Sequence, residues 1–273
     1  MKEIVQQYLQ ENATGDLVSW KCQLEASHRF SLPLAKTEEL ILEARLLPTR
    51  YQRNRDTFSI EQQYKIFHSC VAVIGCGGLG GHIIESLARL GVGKIVAVDP
   101  DIFEEHNLNR QILSSIDFLG WSKVALAATR VADINPATTL IPVKAKLTAE
   151  NGAELLQHAD LAADALDSVT SRLELAEICA ERNIPLVHGA IAGWFGQILT
   201  QYPGESTLQR LYENRSQSIG AEQKLGNPAF TPAVIAGIQV AEICKVLLGT
   251  GQTRSGTMIS INLQDMEMEK IVI

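Results

Sequence analysis

The sequence predicts an α/β fold: a Rossmann-like, doubly wound and mostly parallel sheet, with an antiparallel C-terminal part and a short helical extension at the N-terminus. Three observations predict it. The apolar run VAVI (Val71–Ile74) leads straight into a glycine-rich turn, GCGGLGG (Gly75–Gly81). From there to Ala190, strand-like apolar runs alternate with helical periodicity. After Gly193 the alternation stops, and the chain closes on TMISINLQDMEMEKIVI, whose apolar–polar alternation reads as a β-hairpin.

In chain order, Met1 to Arg55 is polar and broken by Pro33 and Pro48; Thr37 is placed to cap a short helix, TEELILEARLL. Ser59–Phe67 reads as a helix and Cys70–Ile74 as the first strand of the sheet. Helix Leu79–Leu90, strand Lys94–Val98, helix Ser122–Ile134 and strand Thr139–Val143 follow, then helix Ala149–His158, strand Leu161–Leu166, helix Thr170–Arg182 and strand Pro185–Ala190. Gln197–Gln201 is strand-like, and Pro203–Asn227 is a long polar segment with little periodicity, the kind of loop that carries function or stays disordered. Pro232–Leu248 reads as a helix before the terminal hairpin.

A chain of 273 residues suits one domain of about 200–250 residues plus an extension. The division predicted is 1–48 for the extension and 49–273 for the nucleotide-binding domain. With 46% hydrophobic and 20% charged residues, disorder over most of the chain is excluded. A net charge of −7 argues against a general nucleic-acid binder, which needs a basic face to displace counterions. Met1–Gln10 lacks the apolar core of a secretion signal. The most apolar stretch, Phe230–Gly249, contains Gln239, Glu242 and Lys245, so it reads as a core helix and not a membrane span. Five scattered cysteines with no CxxC pair predict reduced thiols, a cytoplasmic location and no structural zinc.

Gly75, Gly77 and Gly80 fit GxGxxG between a strand and a helix, where backbone amides can approach phosphate. Asp99 ends the next strand, about twenty residues on, where a carboxylate can hold ribose hydroxyls. Taken alone, these residues describe an NAD site, and glycines that serve only tight strand–helix packing would look the same. Three further motifs depart from a dehydrogenase. NLNRQ (Asn107–Gln111) follows the second strand, GWSKV puts Lys123 at a helix start, and DALDSVTSR puts Asp167 at a strand end. A nicotinamide has no use for an Arg, a Lys and a second Asp in this order. A triphosphate about to lose pyrophosphate does, because cations neutralise charge on its oxygens and a carboxylate holds Mg²⁺.

With these pieces the chain resembles the ThiF/MoeB/HesA family of ubiquitin-activating-like adenylyltransferases. The resemblance runs through RYQRN (Arg50–Asn54), GCGGLGG, VDPDIFEEHNLNRQ (Val98–Gln111), GWSKV, INP (Ile134–Pro136), DALDSVTSR and PLVHGAIAGWFGQI (Pro185–Ile198). It implies a homodimer that binds ATP·Mg²⁺ and transfers AMP to the C-terminal carboxylate of a small ubiquitin-like or sulfur-carrier protein ending in Gly-Gly. By position, Gly75, Gly77, Gly78 and Gly80 cradle the nucleotide and Asp99 holds its ribose. Asn107, Arg110, Gln111 and Lys123 line the phosphates, Asp167 holds Mg²⁺, and Arg53 reaches the partner subunit's ATP. Other carboxylates, on a ribosomal peptide or a tRNA-linked group, stay open as acceptors, as does an NAD-dependent oxidoreductase.

The chain departs from that pattern in its cysteines. Many family members carry two zinc-binding CxxC pairs, one after GQI and one near the C-terminus; the corresponding stretches here, PGESTLQRLYEN and DMEMEKIVI, have none, so no zinc is expected. The long segment Pro203–Asn227 also lacks the cysteine some members use for covalent sulfur transfer. Cys179 and Cys244 sit among apolar residues of helices and read as inert core thiols, and Cys76 as a small residue below the nucleotide. The apolar clusters of the extension (Ile4, Val5, Tyr8 and Leu9; Leu17, Val18 and Trp20; Leu40, Ile41, Leu46 and Leu47) are expected to pack on the catalytic domain or across a dimer, being too small for a core of their own.

Overall fold

The computed structural model describes residues 1–213, 225–251 and 256–273. Its first 48 residues hold three helices, α1 (Lys2–Glu11), α2 (Trp20–Phe30) and α3 (Leu34–Glu43), and two short parallel strands, β1 (Leu17–Val18) and β2 (Leu47–Pro48). The sequence reading foresaw only α3, and placed its start late. Pro33 is the N-cap, and Thr37 lies inside the helix with its hydroxyl donating to Pro33 O at 3.2 Å. Ser19 caps α2 by accepting the Cys22 amide.

These helices do enclose an apolar cluster among themselves, built on Val5, Leu9, Val18, Cys22, Ala26, Leu40, Ile41 and Leu46. A second cluster, Leu42, Leu47 and Tyr51 with Tyr64 and Phe67, joins the extension to α4 (Ile60–Phe67). A buried polar knot reinforces the joint. Glu38, fully buried, accepts from Arg50, from the Tyr51 hydroxyl at 2.7 Å and from Gln23 Nε2 at 3.0 Å. Arg50 and Tyr51 belong to the 3₁₀ turn Thr49–Asn54, and both also bond to the Asn135 side chain.

The main sheet is built in chain order. β3 (Cys70–Ile74) leads to α5 (Gly78–Leu90), β4 (Lys94–Val98), α6 (Lys123–Ile134) and β5 (Thr139–Val143). Next come α7 (Ala149–Leu155), β6 (Leu161–Asp164), α8 (Val169–Glu181), β7 (Leu186–Ala192), β8 (Phe195–Gln201) and α9 (Thr207–Tyr212). The chain ends with α10 (Phe230–Leu248), β9 (Thr257–Asn262) and β10 (Glu267–Val272). Strand order is β10-β9-β8-β7-β6-β3-β4-β5; the five strands from β7 to β5 are parallel, and β8, β9 and β10 are antiparallel.

Side-chain alternation along β3 builds both layers. Val71 and Val73 face a core shared with α5, α6 and α10, while Cys70, Ala72 and Ile74 face one shared with α8 and α9. α10 is long and apolar enough to cross a membrane by length and composition. It lies on the sheet instead, where Gln239, fully buried, donates to Asp164 O and Val187 O. The segment expected to be irregular, Pro203–Asn227, contains α9; residues 214–224 of it lie outside the described residues.

The order places a switch point at β3. The chain leaves it towards β4 and β5, then returns to its other side as β6, and ligands bind at the strand C-termini of such a point.

Candidate active site

A cavity of about 390 Å³ opens at that point. The end of β3 supplies Gly75, Gly77 and Gly78, the end of β4 supplies Asp99, and the turn after β6 supplies Asp167; Asn107, Arg110, Gln111 and Lys123 close the wall between β4 and α6. The residues singled out in the sequence are thus gathered into one cleft, except two. Gly80 does not line it. A Cβ there would lie 1.8 Å from Gly75 O, so this glycine allows α5 to seat under the loop and does not itself face the nucleotide space. Arg53 is exposed in its 3₁₀ turn and does not line the cavity of its own chain.

Gly75 has φ +96°, and a Cβ on it would meet Ala165 O at 2.5 Å. Loop and β6 turn are therefore in backbone contact. Asp99 is buried, and its two oxygens accept the amides of Cys76 at 2.7 Å and Asp101 at 2.8 Å. Each oxygen keeps a lone pair for a hydroxyl donor. Lys123 is also buried; its Nζ lies 3.0 Å from Asp101 Oδ2. Arg110 donates to His106 O and Asn109 Oδ1, with its guanidinium at the surface. Asn107 is held by accepting the Glu104 amide at 3.0 Å.

Several polar groups in this cleft lack a protein partner among the described residues, the buried Asn227 Oδ1 among them. Gln111 Oε1 is buried with no hydrogen bond, and the Asp167 carboxylate is exposed with none. No cluster of three metal-ligating side chains exists among the described residues. A divalent ion at Asp167 would share its coordination with phosphates and water, which is how Mg²⁺ is commonly held. Glycines that leave room for backbone approach, a ribose-level acid and cations at the wall fit a nucleoside triphosphate.

The sequence reading passed over Lys146 and Arg172, which also line the cavity. Lys146 lies just past the end of β5, and the strand-end rule that found Asp99 and Asp167 reaches it too. Arg172 was in view within DALDSVTSR but had no assigned role; it is buried, and its Nε and Nη2 donate to Leu166 O at 3.1 and 2.7 Å. All five cysteines are free and buried. Burial pushes Cys179 up to about 12 and Cys244 to about 11, and raises buried Cys76 well above an ordinary thiol.

The ThiF family model matches residues 51–273. The chain belongs to the ThiF family. Among curated relatives, the SAMP-activating enzyme E1 of Haloferax volcanii is 33% identical over 81% of this chain and 84% of its own length. The sulfur carrier protein adenylyltransferase of Thermus thermophilus is 29% identical over 78% and 82%. The chain spans 60% of the probable molybdopterin-synthase adenylyltransferase of Porphyra purpurea, to which it is 30% identical over 82% of its own length. Among solved structures, E. coli MccB with succinimide matches with a TM-score of 0.70 at 19% identity, over 92% of this chain and 82% of that one. This ThiF-family chain therefore shares its fold with MccB well beyond what identity reveals.

Proposed function

We propose that the protein uses ATP and Mg²⁺ to adenylate the C-terminal carboxylate of a small ubiquitin-like or sulfur-carrier protein ending in Gly-Gly. The observation that carries this reading is the single cleft in which the glycine loop and Asp99 meet Arg110, Lys123 and an unpartnered Asp167. A nicotinamide site accounts for the first half of that set and leaves the second without purpose. The Haloferax relative, a SAMP-activating enzyme, and the Thermus relative, a sulfur carrier protein adenylyltransferase, point the same way.

The acceptor carboxylate is a weak nucleophile, repelled by the triphosphate it must approach. The glycine loop fixes the phosphates through backbone amides, and Asp99 anchors the ribose, so the α-phosphorus stands at a set place. Lys123 and Arg110 offset the negative charge along the approach. Asp167 would hold Mg²⁺, which when bound would further neutralise the phosphate oxygens. The carboxylate oxygen bonds to the α-phosphorus, the bond to pyrophosphate breaks, and an acyl-adenylate remains. In a homodimer, Arg53 supplies one more cation to the partner's cleft.

Exchange of labelled pyrophosphate into ATP tests the reading. Expected is exchange that needs both Mg²⁺ and a Gly-Gly carrier, and that stops when the carrier loses its last two residues. Exchange with a peptide but no carrier would move the acceptor to another carboxylate; nicotinamide binding without exchange would replace the reading altogether. Asp167→Ala should abolish Mg²⁺-dependent exchange in a folded protein. Mixing Arg53→Ala and Lys123→Ala chains tests action across the dimer, since hybrid dimers regain one working cleft only if Arg53 acts on the partner.

A further inference from the structure

Behind the Asp167 turn lies a buried polar network that the reaction above does not use. Asp164, the last residue of β6, is fully buried; its Oδ1 accepts the Leu166 amide at 2.9 Å and its Oδ2 lies 2.6 Å from Nδ1 of His188, also fully buried. With a carboxylate on Nδ1, that nitrogen carries the proton and Nε2 is the acceptor. Burial lowers the basicity of this imidazole, which agrees with a neutral ring. The Tyr212 hydroxyl stands 3.3 Å from Nε2. The same hydroxyl accepts from Gln197 Nε2 at 2.9 Å and from Arg172 Nη1 at 3.1 Å, and Gln197 Nε2 also stands 3.3 Å from His188 Nε2.

The network converges on one residue. Leu166 has its N–H held by Asp164, which His188 orients, and its C=O held by two donors of Arg172, which Tyr212 orients. Asp167 is the next residue, and its exposed carboxylate has no hydrogen bond of its own among the described residues. Its place in the cleft is therefore set by the backbone of Leu166. Tyr212 is the last residue of α9, far along the chain from that turn. Its ring sits in the apolar cluster with Leu175, Leu186 and Leu199, so its packing and its hydroxyl are separable.

We propose that Tyr212 is a positioning residue for Asp167: its hydroxyl aligns Arg172 and His188, which together clamp Leu166 and aim the Asp167 carboxylate at the phosphate side of the cleft. The proposal rests on Asp167 being the Mg²⁺-binding carboxylate, and its test separates the two ideas. Tyr212→Phe keeps the ring and removes the hydroxyl. His188→Asn places an amide N–H where Nδ1 stands, preserving the bond to Asp164, and removes the acceptor that faces Tyr212.

In the full-length protein, hydrogen exchange of the Leu166 amide is measured beside ATP affinity by calorimetry, with Mg²⁺ and with EDTA. Both variants should exchange Leu166 roughly tenfold faster, the loss of about one hydrogen bond. They should lose roughly fivefold or more of the affinity that Mg²⁺ adds, with metal-free ATP affinity within about twofold of the parent. An unchanged Leu166 amide overturns the proposal, and so does faster exchange with the Mg²⁺ gain intact. An equal fall with and without Mg²⁺ also overturns it, because that is the mark of a merely structural residue. If the parent protein shows no Mg²⁺ gain at all, it is the role of Asp167 that fails, and the Leu166 amide alone decides whether Tyr212 holds the turn.

Discussion

The carboxylate of Asp99 accepts the backbone amide of Cys76 at 2.7 Å, which ties the end of β4 to the middle of the glycine loop. With its second oxygen on the Asp101 amide at 2.8 Å, this one side chain organises two of the backbone turns that wall the cleft. Asp99→Asn keeps the shape but turns an N–H₂ group towards one of those amides. A charged, buried acceptor of this kind contributes about 1.5–3 kcal/mol, so ATP affinity should fall roughly 10- to 100-fold. Calorimetric titration with ATP checks it; affinity within twofold of the parent would remove Asp99 from nucleotide binding.

Lys123 is buried against Asp101, which is itself largely exposed, at 3.0 Å. The ammonium group is thus held at the cleft wall by a partner that solvent can screen, and a polyphosphate can take it over. Lys123→Ala should lower the rate of pyrophosphate exchange by about 10²–10³-fold, the usual cost of removing a preorganised charge at a site of developing negative charge. Lys123→Arg should not restore it, since a planar guanidinium does not fit the space of a compact ammonium group. Steady-state exchange at saturating ATP distinguishes this rate effect from a binding effect.

The parallel core was legible because its strands are short apolar runs, several of them bounded by Gly or Asp, with longer helical stretches between them. Cys70–Ile74, Lys94–Val98 and Thr139–Val143 carry those signals directly. The cleft residues were legible because they sit at strand ends, in the motif after β4 or at a helix start. The extension was not, for a physical reason: α1 and α2 are polar helices whose buried faces are a few residues wide, such as Val5 and Leu9 on α1, too sparse a pattern to stand out. The network behind the cleft was equally hidden. His188 lies in an apolar strand and Tyr212 in a polar segment, and only folding brings them to 3.3 Å.

The joint between extension and catalytic domain rests on Glu38, fully buried with Arg50, Tyr51 and Gln23 around it. Burial, with the neighbouring Glu38 charge second, raises the Tyr51 phenol well above its ordinary range, so this hydroxyl stays protonated and donates. Glu38→Ala takes the carboxylate from a partly buried Arg50 and the shared acceptor from the Tyr51 hydroxyl and Gln23 Nε2. Breaking such a pair from one side costs about 3–5 kcal/mol, or roughly 10 °C in Tm for a chain of this size. A thermal melt reads it. Activity per folded molecule at a temperature well below the new Tm should stay near the parent value, unless the extension also serves the acceptor, in which case KM for the acceptor rises alone.

His188 gives the fold a pH dependence whose sign is fixed by its burial. Desolvation holds the folded imidazole below its ordinary value of 6.5, with the Asp164 bond opposing but not reversing the shift. The unfolded chain therefore takes up a proton near 6.5 that the folded chain refuses. Stability is full above that pH and declines as pH falls towards the folded value, by up to about 1.4 kcal/mol per pH unit for one proton. His82, partly buried and likewise lowered by desolvation, adds to the same decline. The Glu85 carboxyl, lowered chiefly by its bond to Arg130, acts only below its ordinary 4.5, outside this window. Denaturant melts between pH 7.5 and pH 5 should show His188→Asn losing less stability on acidification than the parent, although it starts lower. Parallel curves for parent and variant would mean that His188 accepts its proton in the folded protein, and that the neutral tautomer linking Asp164 to Tyr212 is wrong.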